Sequence, residues 1–213
     1  MASQFAPAEV RSIIIAWVVL SVAISISYIA GFIRSGSGVY EIMAAFIATA
    51  TAFVFHEMGH KFVAIRRGYV AHFQMWTWGI ALTLITAVAF QGRFLFGAPG
   101  AVYIAPAALG GAYGYHASNY RVQDHENMII SAAGPGMNLA FALFFLSLFL
   151  FSTFGSFVYW AGLFGFELNV GLGSFNMLPI PPLDGFKIFK NNIGAALAIA
   201  LPLWAMFVYF FLL

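Results

Sequence analysis

The sequence predicts an all-α polytopic membrane protein with about six transmembrane helices. A small β or re-entrant segment is expected between the second span and the span carrying Gly134-Pro135-Gly136-Met137-Asn138. Three observations predict this class. Of 213 residues, 62% are hydrophobic and 8% charged, against about 45–50% and about 25% in soluble domains. The mean hydropathy is +0.92. Uncharged stretches recur at about the 20 residues a helix needs to cross hydrocarbon. So few charges cannot cover a water-soluble globule. The 9 Lys and Arg form no basic patch of the kind nucleic acid requires, so the expected surroundings are a lipid bilayer and no nucleic acid. Zero Cys excludes disulfides, thiolate metal sites and a Cys nucleophile.

The whole chain, 1–213, reads as one transmembrane domain. A first span covers residues 12–33, uncharged between Arg11 and Arg34. A second covers 42–65, interrupted near its end by His56, Glu57, His60 and Lys61. Residues 77–91 look helical but short or re-entrant. Residues 94–104 mix Gly, β-branched and aromatic residues, which suits a strand, and 110–121 reads as a loop. No charge occurs from 127 to 166. That stretch divides at Ser152-Thr153-Phe154-Gly155-Ser156 into spans 127–151 and 157–178. The last span, 193–213, contains Pro202. Lys61, Arg66 and Arg67, with Lys187 and Lys190, put the end of the second span and the loop before the last on the cytoplasmic side.

His56-Glu57-Met58-Gly59-His60 is an HExxH sequence. Residues i and i+4 share a helix face, so His56 and His60 can hold one zinc ion together, with Glu57 as general base on the attacking water. Burying ionisable groups in a span costs about 2.5–3.5 kcal/mol each on insertion scales, which argues for a use. A hydrolytic zinc site typically takes three protein ligands. His72, His116, His125, Asp124, Glu126, Glu167 and Asp184 are available for the third. Asp184 stands out because Pro179, Pro181 and Pro182 stop the preceding span and aim one carboxylate from the same end.

HEMGH, the Gly134-to-Asn138 segment and the Asn176-to-Asp184-Gly185 run together resemble the site-2 protease family of intramembrane zinc metalloproteases. The likeness is to a compact prokaryotic-type member without a PDZ domain, and the three motifs occur in the family's order. The resemblance implies His56, His60 and Asp184 as ligands of one Zn²⁺ and Glu57 as the catalytic glutamate. It implies Asn176 as a residue holding the substrate backbone or the developing oxyanion. The activity it implies is hydrolysis of peptide bonds in or near the transmembrane segments of membrane-anchored proteins, at a multi-pass site of the cell membrane facing the cytoplasm. Nothing in the sequence sets an oligomeric state. Zn²⁺, two neutral imidazoles, one carboxylate and a hydroxide sum to zero charge, which suits burial. Residues 94–104 are expected to offer an edge to an unwound substrate. Gly59 is expected to admit the Asp184 span at close range. Asn138 is expected to serve helix packing, and His72, His116 and His125 to lie in loops. The competing expectation is a metal-ion or proton transporter using the same ligands, with Glu167 and Asn169 as its further relay.

Overall fold

Apolar runs interrupted by glycine and proline fold into eight helices and one strand pair in a computed structural model that describes residues 5–92, 99–106 and 122–213. Helix α1 spans Pro7–Ser35, with Pro7 at its first turn and Gly36, at φ 73°, closing its end. Helix α2 (Val39–Thr49) runs through a π-helical turn (Ala50–Val54) into α3 (Phe55–Arg66). In that turn Thr51 Oγ1 donates to the Ile47 and Ala48 carbonyls at 3.2 and 3.0 Å, so its hydroxyl serves the loosened backbone. Gly68, at φ 86°, turns the chain into β1 (Tyr69–Met75). Then follow α4 (Thr77–Ala89), β2 (Gly100–Pro106), α5 (Asp124–Phe151), α6 (Phe157–Asn176), α7 (Asp184–Asn191) and α8 (Ile193–Phe211). β1 and β2 pair as a two-stranded sheet.

Among the described residues, four helices are long and apolar enough to cross a membrane: α1, the continuous Val39–Arg66 helix, α5 and α8. Helix α6 has 20 residues, but Glu167, Asn169 and four glycines dilute its apolar character. Helix α4, with 13 residues, is too short to span upright. Of the expected strand at 94–104, residues 100–104 lie in β2, and 93–98 lie outside the described residues. So does the expected loop at 110–121. Strand β1 and helix α7 were not expected.

The chain divides into two compact units. One comprises Met1–Val54, Phe73–Ala101 and Phe141–Asn169. Its core joins Ala44, Ala45 and Ala48 of α2 to Ala161 and Phe164 of α6, flanked by Ile24 and Tyr28 of α1. Small residues let these backbones approach, the usual device where lipid supplies no hydrophobic drive. The other comprises Phe55–His72, Val102–Ala140 and Val170–Leu213. It holds two clusters. Met177, Ile188, Ala196, Ala200 and Leu203 join the end of α6 to α7 and α8. Ala64, Ala71 and Ile130 join α3, β1 and α5. The HExxH helix and the Asp-Gly turn belong to this second unit.

Candidate metal centre

Two sequence-distant elements of the second unit bring the polar residues together. On α3, His56 and His60 lie one turn apart and are both buried. Their neighbour across the packing is α5, through a gap that only glycine leaves open. A Cβ at Gly134 would lie 2.6 Å from His60 Cε1 and 2.7 Å from His56 Cε1, and would collide with His60 Nε2. Gly59 faces the same helix, since its Cβ would meet the Ala133 carbonyl oxygen and Met137 Cγ at 3.1 Å. The expectation that Gly59 admits the Asp184 span is therefore corrected: the close partner is α5. Asp184 opens α7 after the proline-rich turn. Gly185 beside it fits because any Cβ there would collide with the Met177 carbonyl, which pins the Asp-Gly pair to the end of α6.

The result is a cluster of His56, His60 and Asp184 whose ligand atoms all lie within 4.8 Å of one another. His56 Nε2 and His60 Nε2 are 3.1 Å apart. Asp184 Oδ2 lies 3.4 Å from the first and 3.0 Å from the second. Ligands about 2.0–2.1 Å from a tetrahedral zinc stand about 3.3 Å from each other, so the three separations match three edges of one coordination tetrahedron.

The remaining hydrogen bonds decide which nitrogens carry lone pairs. His60 Nδ1 donates to the Ile130 carbonyl at 2.8 Å, and His56 Nδ1 donates to Asn138 Oδ1 at 2.6 Å. With both Nδ1 atoms protonated, neutral imidazoles direct bare Nε2 lone pairs at each other and at a carboxylate. Three acceptors converging in a buried site repel unless a cation joins them. The donor set and its spacing fit zinc. Asp184 is anionic here. Burial raises its pKa, against which the Lys187 ammonium beside it favours the charged form. Its second oxygen, Oδ1, accepts from Lys187 Nζ at 3.3 Å.

Glu57 sits beside the pair on α3, and its Oε2 accepts from the Val102 N–H of β2 at 3.0 Å. Asn176 ends α6, and its Nδ2 donates to the Leu172 carbonyl of its own helix at 3.1 Å. Asn138, expected to serve packing alone, is fully buried and orients His56. The signal for it was present: Gly134 and Asn138 stand four apart, so they share a helix face.

The other candidates for a third ligand lie elsewhere. His72 is on β1 and stacks on Tyr103, with ring centroids 6.2 Å apart. His125 and Glu126 are in the first turn of α5, with Glu126 gripping Arg67 at 2.6 and 2.7 Å. Asp124 pairs with Lys190 at 3.1 Å. His72 and His125 are thus on regular elements and not in loops, and His116 lies outside the described residues. Lys61, counted above in the cationic cluster that sets the orientation, is fully buried.

No family model matches the chain, and no solved structure matches it. A Methanocaldococcus jannaschii protein named "Putative zinc metalloprotease" is 36% identical to it over 191 residues, which cover 90% of this chain and 89% of the relative. A metal cluster of the right chemistry and a likeness of that extent agree, and the chain belongs to this relative's zinc metalloprotease family.

Proposed function

We propose that this protein is an intramembrane zinc endopeptidase of the site-2 protease type. It hydrolyses peptide bonds in or near the transmembrane segments of membrane-anchored proteins. The observation that carries the reading is the tetrahedral-edge spacing of His56 Nε2, His60 Nε2 and Asp184 Oδ2, 3.0 to 3.4 Å, in a buried cluster. These three residues hold one Zn²⁺. Four helices of spanning length and composition support the membrane setting, and the full reading adds α6 and the short α4 to make six. The exposed Arg66 and Arg67 at the end of α3 support a site facing the cytoplasm from the cell membrane.

Zinc, when bound, supplies Lewis acidity and lowers the pKa of a water towards ~7. The chain supplies the rest. Glu57 takes the proton from the attacking water and passes it to the leaving amine. Asn176 spends one amide hydrogen on Leu172. An amide carries two, and the second is available to the developing oxyanion. An extended substrate pairs with the outward groups of β2 other than the Val102 N–H, which Glu57 holds, replacing hydrogen bonds its own helix loses on unwinding.

The test is zinc content and cleavage in one preparation. Purified protein should bind one zinc per chain, and His56→Ala and Asp184→Ala should lose it. Glu57→Gln should keep the zinc and lose cleavage of a single-span, cytoplasmically tagged reporter in proteoliposomes by about 10²–10⁴-fold, the usual share of general acid–base catalysis. Full zinc occupancy in Asp184→Ala, or undiminished cleavage in Glu57→Gln, would sink the reading.

A further inference from the structure

We infer that the backbone N–H of Val102 is the positioning group for Glu57, so that strand β2 sets the aim of the catalytic glutamate. The inference rests on the role given to Glu57 above. It starts from the strand register. Trp76 N donates to the Pro99 carbonyl at 2.9 Å, just beyond the facing ends of β1 and β2. Four residues back along β1 and four forward along β2, His72 stacks on Tyr103. The two strands are therefore antiparallel.

In an antiparallel pair, residues whose N–H and C=O face the partner strand alternate with residues whose groups face outward. Counting in twos from Pro99 puts Ala101 and Tyr103 in the inward set. Gly100, Val102, Ile104 and Pro106 fall in the outward set. Two further facts agree with this register. On the other outer edge, Phe73 N donates to Glu9 Oε1 at 2.7 Å. Pro106, which has no N–H to give, occupies an outward position.

The Val102 N–H is thus not needed by the sheet. It is spent on Glu57 Oε2 at 3.0 Å. Glu57 needs such a partner because it follows His56 by one residue and projects about 100° round the helix from it. It must reach the reacting water on a side chain with several free torsions. One hydrogen bond to Oε2 fixes the carboxylate plane and leaves Oε1 for the water. A strand amide suits this task better than a side chain, since it has no rotamers of its own.

The register makes a clean test available, because a proline at 102 removes an outward N–H and no sheet bond. With Val102→Ala as the side-chain reference, Val102→Pro should lower kcat a further ten- to hundredfold, the scale of a small misplacement of a reacting group. KM and bound zinc should match between the two variants. Equal kcat in the two, with zinc retained, overturns the inference. Amide hydrogen exchange on the zinc-loaded wild-type protein supplies a readout that needs no turnover. The Val102 amide should exchange at least about tenfold slower than in Glu57→Ala, while Tyr103, bonded within the sheet, stays equally protected in both. If Val102→Pro fails to fold, exchange decides alone: the same Val102 rate with and without the Glu57 carboxylate overturns the inference. Cleavage lost in Glu57→Gln alongside such an unchanged Val102 rate would remove the positioning role and leave the peptidase standing. Cleavage intact in Glu57→Gln would remove the peptidase reading itself.

Discussion

The two units treat their buried polar groups in opposite ways. In the unit built on α1 and α2, hydroxyls turn back on their own helices. Ser21 donates to the Trp17 carbonyl at 2.8 Å, Ser25 to Ser21 at 2.6 Å, Thr49 to Ala45 at 2.8 Å and Thr83 to Gly79 at 2.9 Å. Each bond reaches four residues back and leaves no group that demands a ligand. In the unit built on α3 and α5, the polar atoms reach across 82 residues from His56 to Asn138 and 70 from His60 to Ile130. These bonds do not quiet the site. They fix Nδ1 as the donor, so that in a neutral ring Nε2 is the lone-pair atom, aimed at Asp184 on both imidazoles. Locally satisfied hydroxyls are packing, whereas convergent acceptors are a demand for a cation.

The sharpest way to break that contrast is to close the gap at Gly134. A methyl there displaces both imidazoles at once, because its Cβ would sit within 2.7 Å of a ring carbon on each. Gly134→Ala should weaken zinc binding by at least ~100-fold, beyond the loss typical of an outer-shell change, and abolish cleavage. Competition with a chromophoric chelator measures the first effect. Gly59→Ala is the calibrating partner, since its closest contacts would be 3.1 Å to α5 atoms other than the rings. It should lose less zinc affinity than Gly134→Ala. A reversed order would show that the rings have more freedom than their hydrogen bonds imply.

Asn138 comes next in size. Asn138→Leu keeps the volume but leaves His56 Nδ1 without an acceptor, so the preferred tautomer is lost. Zinc affinity should fall ~10–100-fold, the range for removing a partner of a ligating histidine. Asn138→Asp still offers an acceptor and should retain more affinity than Asn138→Leu. Nitrogen-15 shifts of the His56 ring report the tautomer directly. Equal zinc affinity in Leu and wild-type proteins would return Asn138 to the packing role its sequence context suggested.

What the sequence disclosed follows from the range over which each signal acts. The spacing of His56 and His60 is local, one turn of one helix, and it was readable at once. The proline turn ahead of Asp184 was readable for the same reason, although the helix it starts was not. Helix α7 has eight residues, with Ile188 buried and Lys190 and Asn191 exposed, too short a repeat to stand out beside longer apolar runs. Strand β1 carried a fair signal that went unused: Ala71 and Phe73 are buried while His72 and Gln74 between and beyond them are not. What no local pattern held is the partnership of Gly134 with the His60 and His56 rings, 74 and 78 residues away. The same applies to Val102 N–H and Glu57, 45 residues apart. Both depend on which helix or strand arrives beside the HExxH face, and that is decided by packing.

The smallest expected effect lies in the other unit and sharpens the contrast from its quiet side. Ser21 Oγ meets Thr49 Oγ1 at 2.5 Å, joining α1 to α2, with one of the two hydroxyl protons shared between this contact and a carbonyl of its own helix. In Ser21→Ala the Thr49 hydroxyl still donates to the Ala45 carbonyl, so no buried donor is orphaned. The loss should be one interhelical hydrogen bond, about 0.6 kcal/mol on average in membrane proteins. Reversible unfolding in mixed micelles is sensitive enough to read it. Zinc affinity and kcat should stay within about twofold of wild type, since no polar atom of the metal cluster changes. A zinc loss on the scale of Gly134→Ala would show that the hydroxyl ladder does more than pack, and the division between a packing unit and a chemical one would fall.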